Sequence, residues 1–334
     1  MIKFREAHLV AVALFLASGP ACADGTEATS PSSSSAGIPL RFDLASTDTP
    51  APAPSDSALL GDSGGGGGSA GGDFLDDWFA QVNEAQASQP HWMTPLVTVT
   101  PRLEEEVRYD QYWEHRGNGS DLTIFDSGKG LELIPTETNE VLINPPAWQD
   151  KTNVSSPVSG WLDDQFLVVK QRLVSANEEE GNYIVTAFLG VTAPSGASAF
   201  TNHTWIVTPT LAVGKGWGDF DIQATTGVAF PFRNQSTLGT SIATNVAFQY
   251  HLFEYFWPEF EVNHTYWADG NERGGKNQVL LTPGLILGRF VIRDRIKVII
   301  GGGYQFAVSP KYVDTSEQTP AYNHSVILTA RLTF

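Results

Sequence analysis

Residues 325–334 read SVILTARLTF, and Phe334 closes the chain. Val326, Leu328, Ala330, Leu332 and Phe334 fall on one side of an extended backbone. Ser325, Ile327, Thr329, Arg331 and Thr333 fall on the other, with Ile327 the single apolar residue among them. This period of two is the pattern of a strand lying between two different environments. Most soluble domains end in a frayed polar segment; this one ends inside a hydrophobic strand, on an aromatic ring.

Composition narrows those environments. The chain is 41% hydrophobic, with two Met and one Cys, and its formal net charge of −17 argues against a nucleic-acid partner. The first residues, MIKFREAHLVAVALFLASGPACA, combine Lys3 and Arg5, a short apolar run and an Ala21-Cys22-Ala23 site. They predict a secretory signal over 1–23 whose apolar run is too short to span a bilayer. Gly19-Pro20-Ala21 lacks the aliphatic residue of a lipidation signal at Cys22. Cleavage after Ala23 removes that cysteine, so the mature chain is expected to form no disulfide. No later segment has eighteen apolar residues free of charge, so no spanning helix is expected. An exported chain of alternating strands is then a soluble β protein or a closed barrel in a membrane. The closed barrel is the one sheet that satisfies every backbone group in lipid.

Residues 24–72 are rich in Ser, Pro and Gly and predict a disordered acidic tail. From Asp24 to Pro90 there are ten acidic residues against one basic, Arg41. Residues 73–90 predict a short amphipathic helix: Phe74, Leu75, Trp78, Phe79 and Val82 recur at helical spacing, with Asp73 placed as an N-cap. That helix could enter a lumen, lie on a membrane or pack on the base of a barrel. Residues 91–334 are read as the barrel. Strands are predicted at 102–113, 130–143, 165–175, 182–193, 203–214, 219–231, 240–251, 255–267, 277–290, 296–309 and 323–334. Short connections at 176–182, before Asp219, at 251–255 and at 291–297 alternate with longer ones at 144–164, 193–203, 231–239, 268–277 and 310–323. Short turns alternating with long loops mark outer-membrane barrels, whose strand number is even. PLVTVT, 95–100, is taken as the missing strand, giving about twelve in an all-β, antiparallel up-and-down transmembrane barrel.

Facing follows from parity. Phe220, Ile222, Val228, Phe230, Ile242, Val246, Phe248, Phe260 and Val262 are expected outward. Aromatic residues gather at strand ends, with Tyr255, Phe256 and Trp257 starting one strand and Tyr266 and Trp267 ending it. About ten residues at roughly 3.3 Å each, tilted near 40°, separate such clusters by roughly 25 Å, the height of an apolar band. Trp205, Phe256, Tyr266, Tyr304 and Phe334 are the candidate girdle. The inward set carries charge of both signs: Arg102, Glu104, Glu106, Arg108, Asp110, Lys170, Arg172, Asp221, Glu259, Glu261, Lys297 and Arg331. These groups either line an aqueous constriction or pair into a network that fills the barrel. Glu105 breaks the pattern, since it would face outward with Leu103, Val107 and Tyr109.

The final strand resembles the terminal signature strand of bacterial outer-membrane proteins, which implies recognition by the barrel-assembly machinery. The segment KGWGDFDIQAT, 215–225, resembles the Gly-x-Gly-Asp turn and strand of a family of outer-membrane proteins associated with the meta-pathway of phenol degradation. Residues 100–334 are compatible with that family. The resemblance implies a Gram-negative outer membrane, with the tail periplasmic, and transport of small molecules, aromatic ones among them. It transfers no binding residues. His203, His264 and His324, each beside Asn and Thr or Ser, face outward by parity, which sets them apart from their polar neighbours. Neither a metal site, a cofactor nor a catalytic residue is expected. The leading expectation is a channel passing small solutes through a lumen of mixed charge. A closed structural or surface-interaction barrel is the alternative, and an outer-membrane hydrolase the third reading.

Overall fold

The computed structural model describes residues 70–126, 130–163, 168–271, 274–309 and 322–334. The signal segment and the tail up to residue 69 lie outside the described residues, as does most of the 310–323 connection. One helix, α1 (Ala70–Ala87), comes first. The strands are β1 (Glu106–His115), β2 (Asp121–Phe125), β3 (Leu131–Thr136), β4 (Asn139–Ile143), β5 (Trp148–Thr152), β6 (Val158–Trp161), β7 (Val168–Ala176) and β8 (Tyr183–Thr192). They continue with β9 (Ile206–Trp217), β10 (Phe220–Pro231), β11 (Ser241–Tyr250), β12 (Phe256–Trp267), β13 (Asn277–Arg293), β14 (Ile296–Ser309) and β15 (His324–Thr333), with one helical turn, α2 (Gln235–Leu238), before β11.

All are antiparallel to their neighbours, and the sheet closes where β1 pairs with β15, Glu106 opposite Thr333 and His115 opposite His324. Among the described residues the fifteen strands fill twelve positions in the wall. β2 pairs with the upper half of β1 and β3 with its lower end, so these two share one position. β5 and β4 share the next, since they pair with β2 and β3 respectively. β6 and β7 share the one after, beside β5 and β4. Closure leaves β6, bonded to β5 alone, as the one strand with a single strand neighbour among the described residues.

Twelve positions agree with the expected number, but three of the predicted segments differ. The predicted strand 130–143 is two strands, β3 and β4, joined by a tight turn at Glu137-Thr138. The predicted loop 144–164 holds β5 and β6, and Asn144-Pro145-Pro146 only breaks the ladder, because proline brings no donor. Residues 95–100 are not a strand at all.

Along β15, Val326, Leu328 and Leu332 are exposed while Ser325, Ile327 and Arg331 are buried. The same parity places Phe230 and Phe260 outward and Asp221, Gln223, Glu259 and Glu261 inward on β10 and β12. Phe256, Tyr266 and Tyr304 are exposed on the outer face, and Trp205 and Phe334 are half-buried. Trp257 and Trp267, grouped with the aromatic clusters by sequence, instead face inward and are buried; Trp257 stacks on His251 with ring centroids 4.1 Å apart.

The short turns 137–138, 177–182, 218–219, 251–255 and 294–295 all lie at the end of the barrel where β15 finishes. Helix α1 starts at Ala70, ahead of the predicted Asp73, and packs on this end. Val82 and Ala85 are fully buried against Leu103 and Ile134, with Trp78 beside them. Phe79 lies under the Arg295 guanidinium at 4.4 Å, and the Arg172 Nη1 donates to the Ala85 carbonyl at 2.6 Å. Of the three placements left open by sequence, the helix takes the base of the barrel. Glu105 is buried there rather than outward, because β1 begins only at Glu106. Its carboxylate accepts from Trp78 Nε1 at 2.8 Å and from the Ile134 amide at 2.7 Å, covering the stretch of β3 that extends beyond β1.

Candidate functional site

Between α1 and β1, residues 88–105 form a strap whose middle, from Trp92 to Thr100, runs inside the barrel. Pro90, Pro95 and Pro101 remove three backbone donors from it and disfavour a regular ladder. The chain bends at 96–98, so three successive amides face one wall, whereas a strand would alternate them. Leu96 is accepted by Glu259 at 3.0 Å, and Val97 and Thr98 by Glu261 at 2.7 and 2.6 Å. The Thr98 hydroxyl also donates to Glu261.

Cations hold the carbonyls. Arg331 donates to the carbonyls of Thr94 and Pro95, the latter at 2.9 Å, and Arg108 to that of Leu96 at 2.7 Å. Arg289 and Arg102 both reach the Trp92 carbonyl, and Lys170 reaches that of Arg102 at 3.3 Å. Gln223 donates to the Met93 carbonyl at 2.8 Å and accepts from the Thr100 hydroxyl at 2.7 Å. Glu140 accepts from the Glu104 amide at 2.7 Å while pairing with Lys170 at the same distance. Hydrogen bonds to charged groups are the strong ones, and they take the place of the ladder that the strap lacks.

The inner wall also makes room. Gly214 and Gly216 face Trp92, and Gly284 and Gly303 face Leu96; a methyl group at any of the four would overlap those side chains. Trp92, Met93 and Leu96 pack with Ile184, Trp257, Ile286 and Ile299 in a small apolar cluster. Toward the opposite end Val97 meets a second cluster containing Tyr112, Leu122, Ile124 and Ile327.

The structure brings the sequence candidates together around this strap. Glu106, Arg108, Asp110, Lys170, Arg172, Asp221, Glu259, Glu261 and Arg331 are buried and project inward from the wall. Arg102 and Glu104 are buried as well, but on the strap rather than on β1, paired with each other at 2.8 Å. Lys297 is half-buried and lines a cavity of about 420 Å3 between α1, the strap and the wall, together with Arg289, Glu106 and Phe334. Asp221 accepts from Gln223 at 3.1 Å, and Arg172 anchors the helix. The strap itself was not legible as a functional element. The signal for it is the run of three prolines, which a wall strand could not carry without loss of pairing.

At the mouth, outside the wall, the His91 amide and ring donate to Glu178 in the 177–182 turn at 2.6 and 2.9 Å. Partial burial alone would raise the Glu178 carboxyl, but these hydrogen bonds outweigh it and hold the group below its ordinary value of 4.5. A lowered folded value means the contact contributes above pH 4.5 and is lost as pH falls through that folded value. Acidification from pH 7 to about 3 is therefore expected to loosen the start of the strap more in the native protein than in Glu178→Gln, read as protease access near His91. Equal pH profiles in the two proteins would refute this role for Glu178.

No curated protein matches the chain. Among solved structures, an outer membrane channel from Pseudomonas putida F1 shares 16% identity over 69% of this chain and 94% of that one, with a TM-score of 0.48. The NanC porin shares 10% identity over 69% of this chain and 98% of its own, with a TM-score of 0.40. OmpT of Vibrio cholerae shares 10% over 69% and 96%, with a TM-score of 0.35. Residues 139–319, more than half of the sequence, match the family described as "Putative MetA-pathway of phenol degradation", and the chain belongs to that family.

Proposed function

We propose that this protein is an outer-membrane channel shut by its own residues 88–105, and that small solutes cross the barrel when the strap leaves the lumen. The observation that carries the reading is how the strap is held. Side chains of the wall grip its backbone through hydrogen bonds, and its apolar side chains are divided among separate small clusters: Trp92, Met93 and Leu96 in one, Val97 against a second and Val99 against a third. Such a seat can be vacated into water, where every one of those polar groups finds a partner. Glu106 Oε1, Arg108 Nη1 and Asp221 Oδ2 are buried without a protein partner while the strap is seated, so the wall holds more polar capacity than the strap uses. In this reading the ten charged candidates on the wall are lumen groups while Arg102 and Glu104 move with the strap, the tail lies in the periplasm beside the short turns, and the last strand engages the barrel-assembly machinery. No residue is assigned a catalytic role.

A closed structural barrel is the second reading, favoured by the density of hydrogen bonds around residues 94–98. Single-channel conductance of three forms separates the two: the mature chain, a form lacking 24–90 and a form lacking 24–100. The first deletion removes the helix and leaves the strap from His91 onward; the second leaves only its last five residues, 101–105. Sustained conductance from the last form and rare openings from the first are expected. Silence from all three would establish the closed barrel.

A further inference from the structure

Around the strap the wall sets like charges side by side. Arg108 and Arg331 are direct partners across the closing seam; Asp110 pairs with the Arg108 Nε at 2.8 Å, and the Arg108 Nη2 is turned to the strap. Glu259 and Glu261 stand two residues apart on β12, so they share a face. Residues 94–98 lie against both pairs, with the carbonyls of Thr94, Pro95 and Leu96 on the guanidiniums and the amides of Leu96, Val97 and Thr98 on the carboxylates. Three successive amides converging on one negative centre form a backbone nest, here filled by carboxylates of the wall. Only the Thr98 hydroxyl adds a side-chain hydrogen bond to these four residues, and Leu96 occupies the space that Gly284 and Gly303 leave open. The wall thus reads backbone and demands little of sequence.

We infer that Arg108, Arg331, Glu259 and Glu261 form a binding track for peptide backbone, occupied in the shut state by residues 94–98, and that short peptides are the solute class it takes when the strap is out. This rests on the strap being displaceable. Departure of the strap leaves two adjacent guanidiniums and two adjacent carboxylates facing the lumen. A simple anion or cation satisfies only one pair. A solute bearing amide donors and carbonyl acceptors in alternation satisfies both, and a peptide has them at the spacing the strap already shows.

The test uses the full chain carrying Val97→Pro and Thr98→Pro, which removes two strap donors and leaves the wall untouched. The probe is the acetylated and amidated peptide Thr-Pro-Leu-Val-Thr-Val-Thr, identical to residues 94–100, against the same peptide N-methylated at the positions of Leu96, Val97 and Thr98. Conductance of the variant should be blocked by the plain peptide at a concentration at least tenfold lower than by the methylated one. Adding Glu261→Gln should weaken the block tenfold or more, and a scrambled peptide that keeps its proline and leucine in place should block as well as the original. Equal block by plain and methylated peptides, or none by either, overturns the track. Should the proline variant fail to fold, Trp92→Ala frees the strap at a point remote from the four residues and takes its place. Silence from both variants refutes the channel reading instead. Titration calorimetry of the same folded protein in detergent then decides the track alone, and equal affinity for the two peptides refutes it.

Discussion

Glu261→Ala is expected to turn a shut barrel into a conducting one. The Glu261 side chain is fully buried, and its two oxygens accept from the Val97 amide, the Thr98 amide and the Thr98 hydroxyl. Truncation leaves three donors facing an apolar methyl in a water-poor site. Hydrogen bonds to charged groups contribute about 1.5–3 kcal/mol each, and three sharing one acceptor do not add in full. A loss of about 4 kcal/mol from the seated state is a reasonable expectation, roughly a thousandfold in the ratio of seated to free strap. The wall itself should tolerate the change, because alanine keeps the β12 ladder and the remaining carboxylate, Glu259, still holds the Leu96 amide and the Gln249 side chain. Glu261→Gln should fall between, since its amide oxygen still accepts while its NH2 group meets donors. Arg293→Gln, at the exposed tip of the β13–β14 turn, should leave conductance unchanged. Single-channel recording checks all three. A silent Glu261→Ala barrel with its strap still protected from protease would show that the apolar contacts alone hold the strap.

How far this arrangement was legible in the sequence depends on what alternation can report. It gives direction, and the directions held: Val326, Leu328 and Leu332 are outward and Arg331 is inward on β15, with the same sense on β10 and β12. It does not report a reversal of the chain that preserves parity. β3 and β4 form a hairpin, yet the irregularity between Leu133 and Thr136, at Pro135, shifts the register by one residue. Odd-numbered Leu131, Leu133, Val141 and Ile143 therefore all stay on the outer side, and the pattern reads straight through the turn. Nor does alternation name a partner. Glu259 and Arg331 were legible as inward charges, but a carboxylate and a guanidinium can meet each other, water or backbone. That backbone is PLVTVT, whose β-branched residues resemble a strand while Pro95 and Pro101 at its ends exclude it from a regular ladder. The bend at 96–98, which aims three amides the same way, has no signature in hydrophobic period at all.

Gly214→Val should release the strap from its other anchor, through shape rather than charge. Gly214 and Gly216 lie on the inner face of β9, and the indole of Trp92 rests on the bare backbone they leave. Trp92 is 4% exposed, so a valine there displaces the ring from the cluster it shares with Met93, Ile184 and Trp257. Loss of a buried tryptophan from its site is an effect of about 3–5 kcal/mol. The barrel gains from the same change, because valine suits a strand better than glycine and restricts the unfolded chain. Stability of the wall and occupancy of the lumen should then move in opposite directions. Heat-unfolding of the sheet should occur at the same temperature or higher, while protease access near His91 and open probability both rise. Trp92→Ala should produce the same opening without the stabilised wall, and the double variant should open no further than either single one, since the contact can be lost only once. Additive opening in the double variant would mean that Gly214 and Trp92 act on the strap independently. The fit between them would then be a consequence of the barrel's width rather than the seat of its gate.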